Sequence, residues 1–389
     1  MGSACSLIGL HRLLAEIMRL PTTTAARTLQ TGGLSLLLAS QCLLGVAPPG
    51  CAETATLPPP PAAVQQQNAE VAAISLEQAR QLGALIEMKA LPDAEASALK
   101  KSSLTNSQLM DKGALKVLKS GQDYAARGAD PETQTLDMQV LRQAEGRFSL
   151  LIDELAPSFA GGYANRANVR VAMKDYAGAA DDYAMALRLA PVSEDAWVNW
   201  LNRGSTLVAL GQPAQALPDM QRAVELSKAA QAAGANQAEK LTLLGRGSAL
   251  HALGRWEAAA ADYGAVVNKE PGDVQPYWLR YGLELFELGR TQEALGIVRR
   301  VAAKFSVEPE CQLALYTATS AAGGERGAAE ALRLWSVTPK DVREAASTFD
   351  YAKRQWPPSA TDAAKAFLSG VAAADATPTA AATAATPAA

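Results

Sequence analysis

Two stretches of the chain decide its fold. They are YANRANVRVAMKDYAGAADDYAMALRLAP at Tyr163–Pro191 and LLGRGSALHALGRWEAAAADYGAVVNKEP at Leu243–Pro271. In both, a small residue lies twelve residues before an alanine, and a tyrosine follows that alanine after four more residues. Two further copies of this cassette lie at Trp200–Leu226 and Trp278–Phe305. A cassette that recurs at this length indicates a repeat array, in which each unit buries its apolar face against its neighbours.

The twelve-residue separation is the same in all four copies. Its first member is small, which lets the two helices of one unit cross closely. The pairs are Ala167 with Ala179, Gly204 with Ala216, Gly247 with Ala259, and Gly282 with Ala294. Successive second alanines are 37, 43 and 35 residues apart, so we expect insertions between units. The chain should reverse between helices at Lys174, Gly211, Gly254 and Gly289.

This cassette resembles the tetratricopeptide repeat (TPR), a helix-turn-helix unit of about 34 residues. The resemblance implies an all-α superhelical solenoid, with five to six units. No stretch shows persuasive strand-like alternation, and the alanine-rich composition favours helices. Phe148–Pro157 should close a degenerate unit before the first clear copy, and Cys311–Trp335 should form another after the fourth.

A finer resemblance lies near the C-terminus. The R-x-W-P-P string at Arg354–Pro358 and the N-R-A-N-V-R string at Asn165–Arg170 look like those of TPR proteins from cyanobacteria and plastids. In that family the W-P-P segment follows the last repeat. The resemblance therefore implies that this segment caps the array.

Composition along the chain predicts six segments. They are a bipartite targeting presequence over 1–52, a Pro/Gln linker over 53–69, an N-terminal helical region over 70–145, the TPR array over 146–340, C-terminal capping helices over 341–370, and an Ala/Thr/Pro tail over 371–389. We expect the tail to be disordered, because it has no apolar periodicity.

The first 52 residues have the composition of a targeting sequence. Residues 1–30 carry three arginines, one acid and several threonines, which is typical of a transit peptide, and Leu34–Val46 has the length of a signal-peptide apolar region. Together they resemble the presequence of thylakoid lumen proteins. We therefore predict cleavage after Ala52, a location in the chloroplast thylakoid lumen, and membrane contact through the cleavable signal alone. A membrane-anchored, stromal or mitochondrial protein and an exported bacterial protein stay open as alternatives.

The composition leaves few residues for catalysis. Of two histidines and four cysteines, only His251 and Cys311 lie beyond residue 52. One residue of each kind makes neither a zinc site nor a disulfide within the chain. We found no phosphate-binding loop and no protease or hydrolase motif. The net charge of -3 argues against nucleic-acid binding. We expect no catalytic residue, metal or cofactor.

The resemblance also implies a binding site, because the first helices of TPR units line a concave groove. Counted from the small residue, the candidate groove residues are Asn165, Asn168, Asn202, Ser205, Ser248, His251, Arg280 and Phe286. They could hydrogen-bond an extended peptide or a helix. The two-carboxylate clamp of chaperone-binding TPR proteins is incomplete here, since its basic positions hold Ala164, Leu241 and Gly245.

One further set of residues recurs beside the small position: Arg166, Arg203 and Arg246. We expect each arginine to pair with an acid at a stacked interface rather than to face a ligand. The resemblance implies a non-enzymatic protein–protein interaction scaffold, and an assembly or stability factor for a chloroplast thylakoid complex. The alternatives are a structural subunit that packs by repeat edges or its convex face, and a bacterial exported TPR protein.

Overall fold

The computed structural model describes residues 111–130, 135–191, 193, 196–232 and 237–376. In these ranges the chain forms fourteen α-helices, one π-helical turn at Leu151–Leu155, and one two-residue strand pair, Ala129–Asp130 (β1) with Thr135–Leu136 (β2). The all-α prediction is confirmed. The predicted presequence, the linker, residues 70–110 of the predicted N-terminal helical region and the tail beyond Ala376 lie outside the described residues. The predicted tail begins later than residue 371, because a helix continues to Ala376.

The helices follow one another with short connections. They are α1 (Lys112–Gly128), α2 (Met138–Leu150), α3 (Ala160–Ala172), α4 (Tyr176–Leu189), α5 (Ala196–Ala209), α6 (Pro213–Ala232), α7 (Ala238–Ala252), α8 (Trp256–Lys269), α9 (Tyr277–Glu287), α10 (Thr291–Lys304), α11 (Pro309–Ala322), α12 (Gly324–Val337), α13 (Lys340–Ser347) and α14 (Pro358–Ala376). The chain divides after Lys269 into two compact units, with α1–α8 in the first and α9–α14 in the second.

The predicted turns reverse the chain within each repeat. Lys174, Gly211, Gly254 and Gly289 each take a left-handed backbone conformation, with φ of 65°, 73°, 68° and 73°. Three of these positions are glycine, which adopts such φ values without steric cost. They join α3 to α4, α5 to α6, α7 to α8 and α9 to α10. The four predicted helix pairs are therefore confirmed.

The small residue of each repeat marks the point where its two helices cross. A Cβ atom added to Gly247 would lie 3.2 Å from the Tyr263 ring, and one added to Gly282 would lie 2.7 Å from Cγ2 of Val298. In both repeats the contacted side chain comes sixteen residues later in the sequence. The fixed spacing therefore places a large second-helix side chain over a gap in the first helix.

An additional pair of helices, α1 and α2, precedes the first clear copy. A Cβ atom added to Gly121 would lie 2.7 Å from the ring of Phe148, so the same close crossing recurs. Here the two residues are 27 apart in the sequence, because the connection containing β1 and β2 lengthens the turn. The second helix begins at Met138 rather than at Phe148, and the predicted boundary between residues 145 and 146 falls inside it.

The second unit holds two helix pairs and two further helices. The degenerate copy predicted over Cys311–Trp335 is present as α11 and α12, which confirms it as a helix pair. These helices lie close together at Gly327, where an added Cβ would lie 2.4 Å from the backbone oxygen of Thr319. The last helix, α14, packs on α9 and α11, the first helices of the unit's two repeats.

Candidate functional site

The recurring arginines pair with acids inside their own repeats. Each guanidinium donates two hydrogen bonds to an aspartate sixteen residues later, on the second helix. The distances are 2.9 and 2.7 Å from Arg166 to Asp182, 2.7 and 2.6 Å from Arg203 to Asp219, and 2.7 and 2.6 Å from Arg246 to Asp262. The predicted structural role of these arginines is confirmed.

These ion pairs also reach the preceding helix pair. Arg166 donates to Oγ of Ser149 at 3.1 Å, and Arg246 donates to Oε1 of Gln221 at 2.6 Å. The hydrogen bond that Arg246 donates to Asp262 raises the pKa of Arg246. Burial raises the pKa of Asp219, against the lowering effect of Arg203. Arg166 and Arg246 thus tie neighbouring helix pairs together, and all three arginines are bonded to protein partners.

The candidate groove residues of α3 make bonds within the protein. Asn165 is half-buried, and its Nδ2 donates to the backbone oxygen of Gly161 at 2.7 Å. Asn168 is buried, and its Oδ1 accepts a hydrogen bond of 2.6 Å from the hydroxyl of Tyr183. Of these two residues, Asn165 keeps more of its side chain at the surface.

The candidates on α5 and α7 are buried. Oγ of Ser205 donates to the backbone oxygen of Leu201 at 2.9 Å. Asn202 is 2% exposed, and its Oδ1 lacks a hydrogen-bond partner among the described residues. Ser248 and His251 are also buried, and the His251 ring meets Trp256 edge-on at 5.4 Å between centroids. These side chains are therefore packed inside the protein, on the helix faces that the resemblance assigns to the groove.

One stretch of the predicted groove in the first unit stays partly exposed. Gly161, Ala164 and Asn165 on α3 are half-buried. The residues at the matching repeat positions of α5 are all buried: Val198, Leu201 and Asn202. The α3 face, defined here as Gly161, Ala164 and Asn165, is therefore the accessible part of the predicted groove in this unit.

In the second unit the candidates Arg280 and Phe286 are buried at 4% and 8% exposure. Arg280 donates to the backbone oxygen of Arg354 at 2.7 Å and lies 3.6 Å from Oε1 of Glu310. Its partners belong to the C-terminal part of the chain and to α11. Position counting missed Glu310 and Glu287, because the contacts that define their roles join residues far apart in the sequence.

The described ranges give little support for a metal site, a reactive thiol or a membrane-spanning helix. No cluster of three or more histidine, cysteine, aspartate or glutamate residues there could hold a metal ion. Cys311 is buried, and burial raises the pKa of its thiol, which disfavours the reactive thiolate. Among the residues that the structure describes, no helix has both the length and the apolar character needed to cross a membrane.

Comparisons with known proteins agree with the repeat geometry. The family model for the tetratricopeptide repeat matches residues 199–229, which span α5 and most of α6. No curated protein matches the sequence significantly. Residues 199–229 thus match a tetratricopeptide repeat, and the other helix pairs repeat its helix-turn-helix geometry.

Solved structures that resemble the chain include three with TM-scores below 0.5. PilW, described as a widely conserved type IV pilus biogenesis factor, has 16% identity and a TM-score of 0.46, over 61% of this chain and 100% of that one. YrrB, described as a TPR protein with an unusual peptide-binding site, has 23% identity and a TM-score of 0.36, over 50% and 92%. A TPR protein from Parabacteroides merdae has 15% identity and a TM-score of 0.41, over 72% and 98%.

Proposed function

We propose that this chain is a non-enzymatic scaffold that binds a peptide or a helix of a partner protein on the α3 face. The observation that supports the proposal is the partial exposure of Gly161, Ala164 and Asn165, where the matching residues of α5 are buried. A partner backbone can approach at Ala164, whose side chain is small, while the ring of Phe159 fills the space beside Gly161.

The amide of Asn165 gives this face a polar group for recognition. An amide has two N–H donors and one acceptor oxygen, which is more capacity than its single bond to Gly161 uses. An extended peptide presents alternating N–H and C=O groups that such an amide can bond. The expected ligand is therefore a backbone segment with small or apolar side chains beside Asn165.

A library of displayed peptides selected on the immobilised full chain tests this proposal. We expect the selected peptides to lose binding to the variant Ala164→Arg, since the long charged side chain would block the α3 face. The matched control is Ala177→Arg, which places the same side chain on the exposed start of α4. Binding that survives Ala164→Arg would overturn the proposal.

The second candidate function is a structural subunit that packs by its repeat edges or convex face. Seven of the eight candidate groove residues are buried, which favours it. It predicts the opposite result in the same assay: Ala177→Arg weakens association and Ala164→Arg does not. The two variants therefore separate the two functions.

We further propose that the protein acts in the chloroplast thylakoid lumen, in the assembly or stability of a photosynthetic complex. The proposal is supported by the arginine-rich start and the apolar run Leu34–Val46, and by the likeness of the W-P-P string to plastid proteins. Fractionation with sequencing of the mature N-terminus tests it. A start near Glu53 in the lumen is expected, and a start near residue 30, or an intact apolar run in another compartment, would overturn it.

A further inference from the structure

The first-helix side of the second unit is covered by the chain's own C-terminal segment. This segment, Phe349–Val371, contains the W-P-P string and most of α14, which packs on α9 and α11. Its contacts include Arg280, one of the candidate groove residues. The segment therefore lies where the resemblance places a bound partner.

Its first contacts are polar and centre on Glu310 of α11. Oε1 of Glu310 accepts a hydrogen bond of 3.0 Å from the indole N–H of Trp356, and Oε2 lies 3.6 Å from Nη1 of Arg354. Arg280 donates to the backbone oxygen of Arg354 at 2.7 Å. Glu310 and Arg280 of the repeats thus contact an indole, a guanidinium and a backbone carbonyl of the segment.

A second polar contact lies at the start of α14. The carboxylate of Glu287 accepts hydrogen bonds from the backbone N–H of Ser359 at 2.8 Å and from its hydroxyl at 3.1 Å. A helix N-terminus has unpaired N–H groups and a partial positive charge, so a carboxylate is a suitable partner. Glu287, at the end of α9, therefore recognises the beginning of a helix rather than a particular side chain alone.

The helix then presents one apolar stripe. Its buried members are Ala360, Ala364, Phe367 and Val371, at 0%, 0%, 6% and 7% exposure. The ring of Phe367 lies 5.6 Å from that of Tyr316 and 5.8 Å from that of Trp335, between centroids. Spacings of four, three and four residues place these side chains on one helix face.

The connection to this segment is exposed. Ser347, the last residue of α13, and Thr348, which joins it to the aromatic cluster of Phe349, Tyr351 and Trp356, are both exposed. The segment has its own polar and apolar contacts with α9 and α11, and exposed residues join it to the rest of the chain. This is the arrangement expected of a ligand that is tethered to its binding site.

We propose that Phe349–Val371 is a tethered internal ligand, and that the face it covers binds in trans a segment of the same pattern. That pattern is Trp-Pro, then a helix that opens with serine or threonine and carries apolar residues at spacings of four, three and four. Tethering gives the internal segment an effective concentration on the order of millimolar. Free peptide at micromolar concentration therefore cannot compete until the internal segment is weakened.

A labelled synthetic peptide of residues 349–371 tests this inference by fluorescence anisotropy with the full chain. The host variant carries Trp356→Ala with Phe367→Ala, which weakens the internal segment and leaves the sequences of α9 and α11 unchanged. We expect it to bind the peptide at least about tenfold more tightly than the unmodified chain does, because more of the site is open. A peptide carrying Phe367→Ala is the control and should not bind.

A folded host variant that binds no peptide would overturn the inference. If the double variant does not fold, a second host settles the question: the unmodified sequence with a protease site inserted after Thr348. After cleavage, the segment should remain bound and exchange with labelled peptide. If the cut chain keeps its segment without exchange, or unfolds when the segment leaves, then the segment is a fixed part of the core. Either result would overturn the inference. The α3 face takes no part in this experiment, so its result is separate from that of the peptide library.

Discussion

The repeats of the first unit and those of the second unit carry different polar contacts. In the first, three arginine–aspartate pairs with a sixteen-residue spacing join the helices of each repeat. At the matching positions of the fourth clear copy, Tyr281 and Ile297 replace the pair. There the buried Arg280 bonds the C-terminal segment instead.

The difference shows that the ion pair does not define the helix pair. Both units keep the small residue, the alanine twelve residues later and the close helix crossing, as at Gly247 and Gly282. The arginine–aspartate pair is an addition to that packing in one unit, and the C-terminal segment is an addition in the other. Substitutions in the ion pairs should therefore lower the stability of the first unit, and substitutions in the C-terminal segment should lower that of the second.

The largest expected effect comes from Phe367→Ala in the second unit. Removing this buried ring should cost about 3 to 4 kcal/mol of opening free energy at α11, because it leaves a cavity beside Tyr316. Hydrogen exchange should show faster exchange in α11 and unchanged exchange in α3. The control is Ser369→Ala, an exposed position on the same helix. Equal acceleration in α3 and α11 would contradict the assignment of this contact to the second unit alone.

A smaller effect is expected from Asp219→Ala in the first unit. It removes the partner of Arg203, whose side chain is 21% exposed and can regain part of its hydration. We expect a loss of about 2 kcal/mol in the free energy of unfolding, measured by urea denaturation. The double variant Arg203→Tyr with Asp219→Ile copies the fourth repeat and should recover at least half of that loss. A double variant less stable than Asp219→Ala would mean that the pair is required for the helix crossing.

The smallest effect is expected from installing the pair in the second unit. Tyr281→Arg with Ile297→Asp places the two residues sixteen apart on half-buried positions of α9 and α10. A double-mutant cycle should give a favourable coupling below about 1 kcal/mol, as for partly exposed ion pairs. A zero or unfavourable coupling would show that the spacing alone does not bring the two side chains together.

Much of the fold could be predicted from the sequence, because repeated spacing reports repeated packing. Pairs such as Gly204 with Ala216 locate the helix crossings, and the arginine beside three of the four small residues indicates an acid partner. The aspartate sixteen residues later was a further available signal. The first helix pair was harder to find, since the longer connection between Gly121 and Phe148 removes the common spacing.

The candidate site was less predictable. Counting repeat positions identifies which residues can face a groove, but their burial depends on what packs against them. Phe367 and Tyr316 are 51 residues apart in the sequence, and no local pattern indicates that their rings are in contact. Likewise, the exposure of Ala164 and the burial of Leu201 at matching positions is a property of the folded array.

The most direct test of the proposed function is hydrogen exchange of the full chain with and without a peptide selected on it. The α3 proposal predicts new protection over Ala160–Ala172 and unchanged exchange over Tyr176–Leu189. Protection over Tyr176–Leu189, with none over Ala160–Ala172, would contradict it and favour a subunit that packs by its second helices.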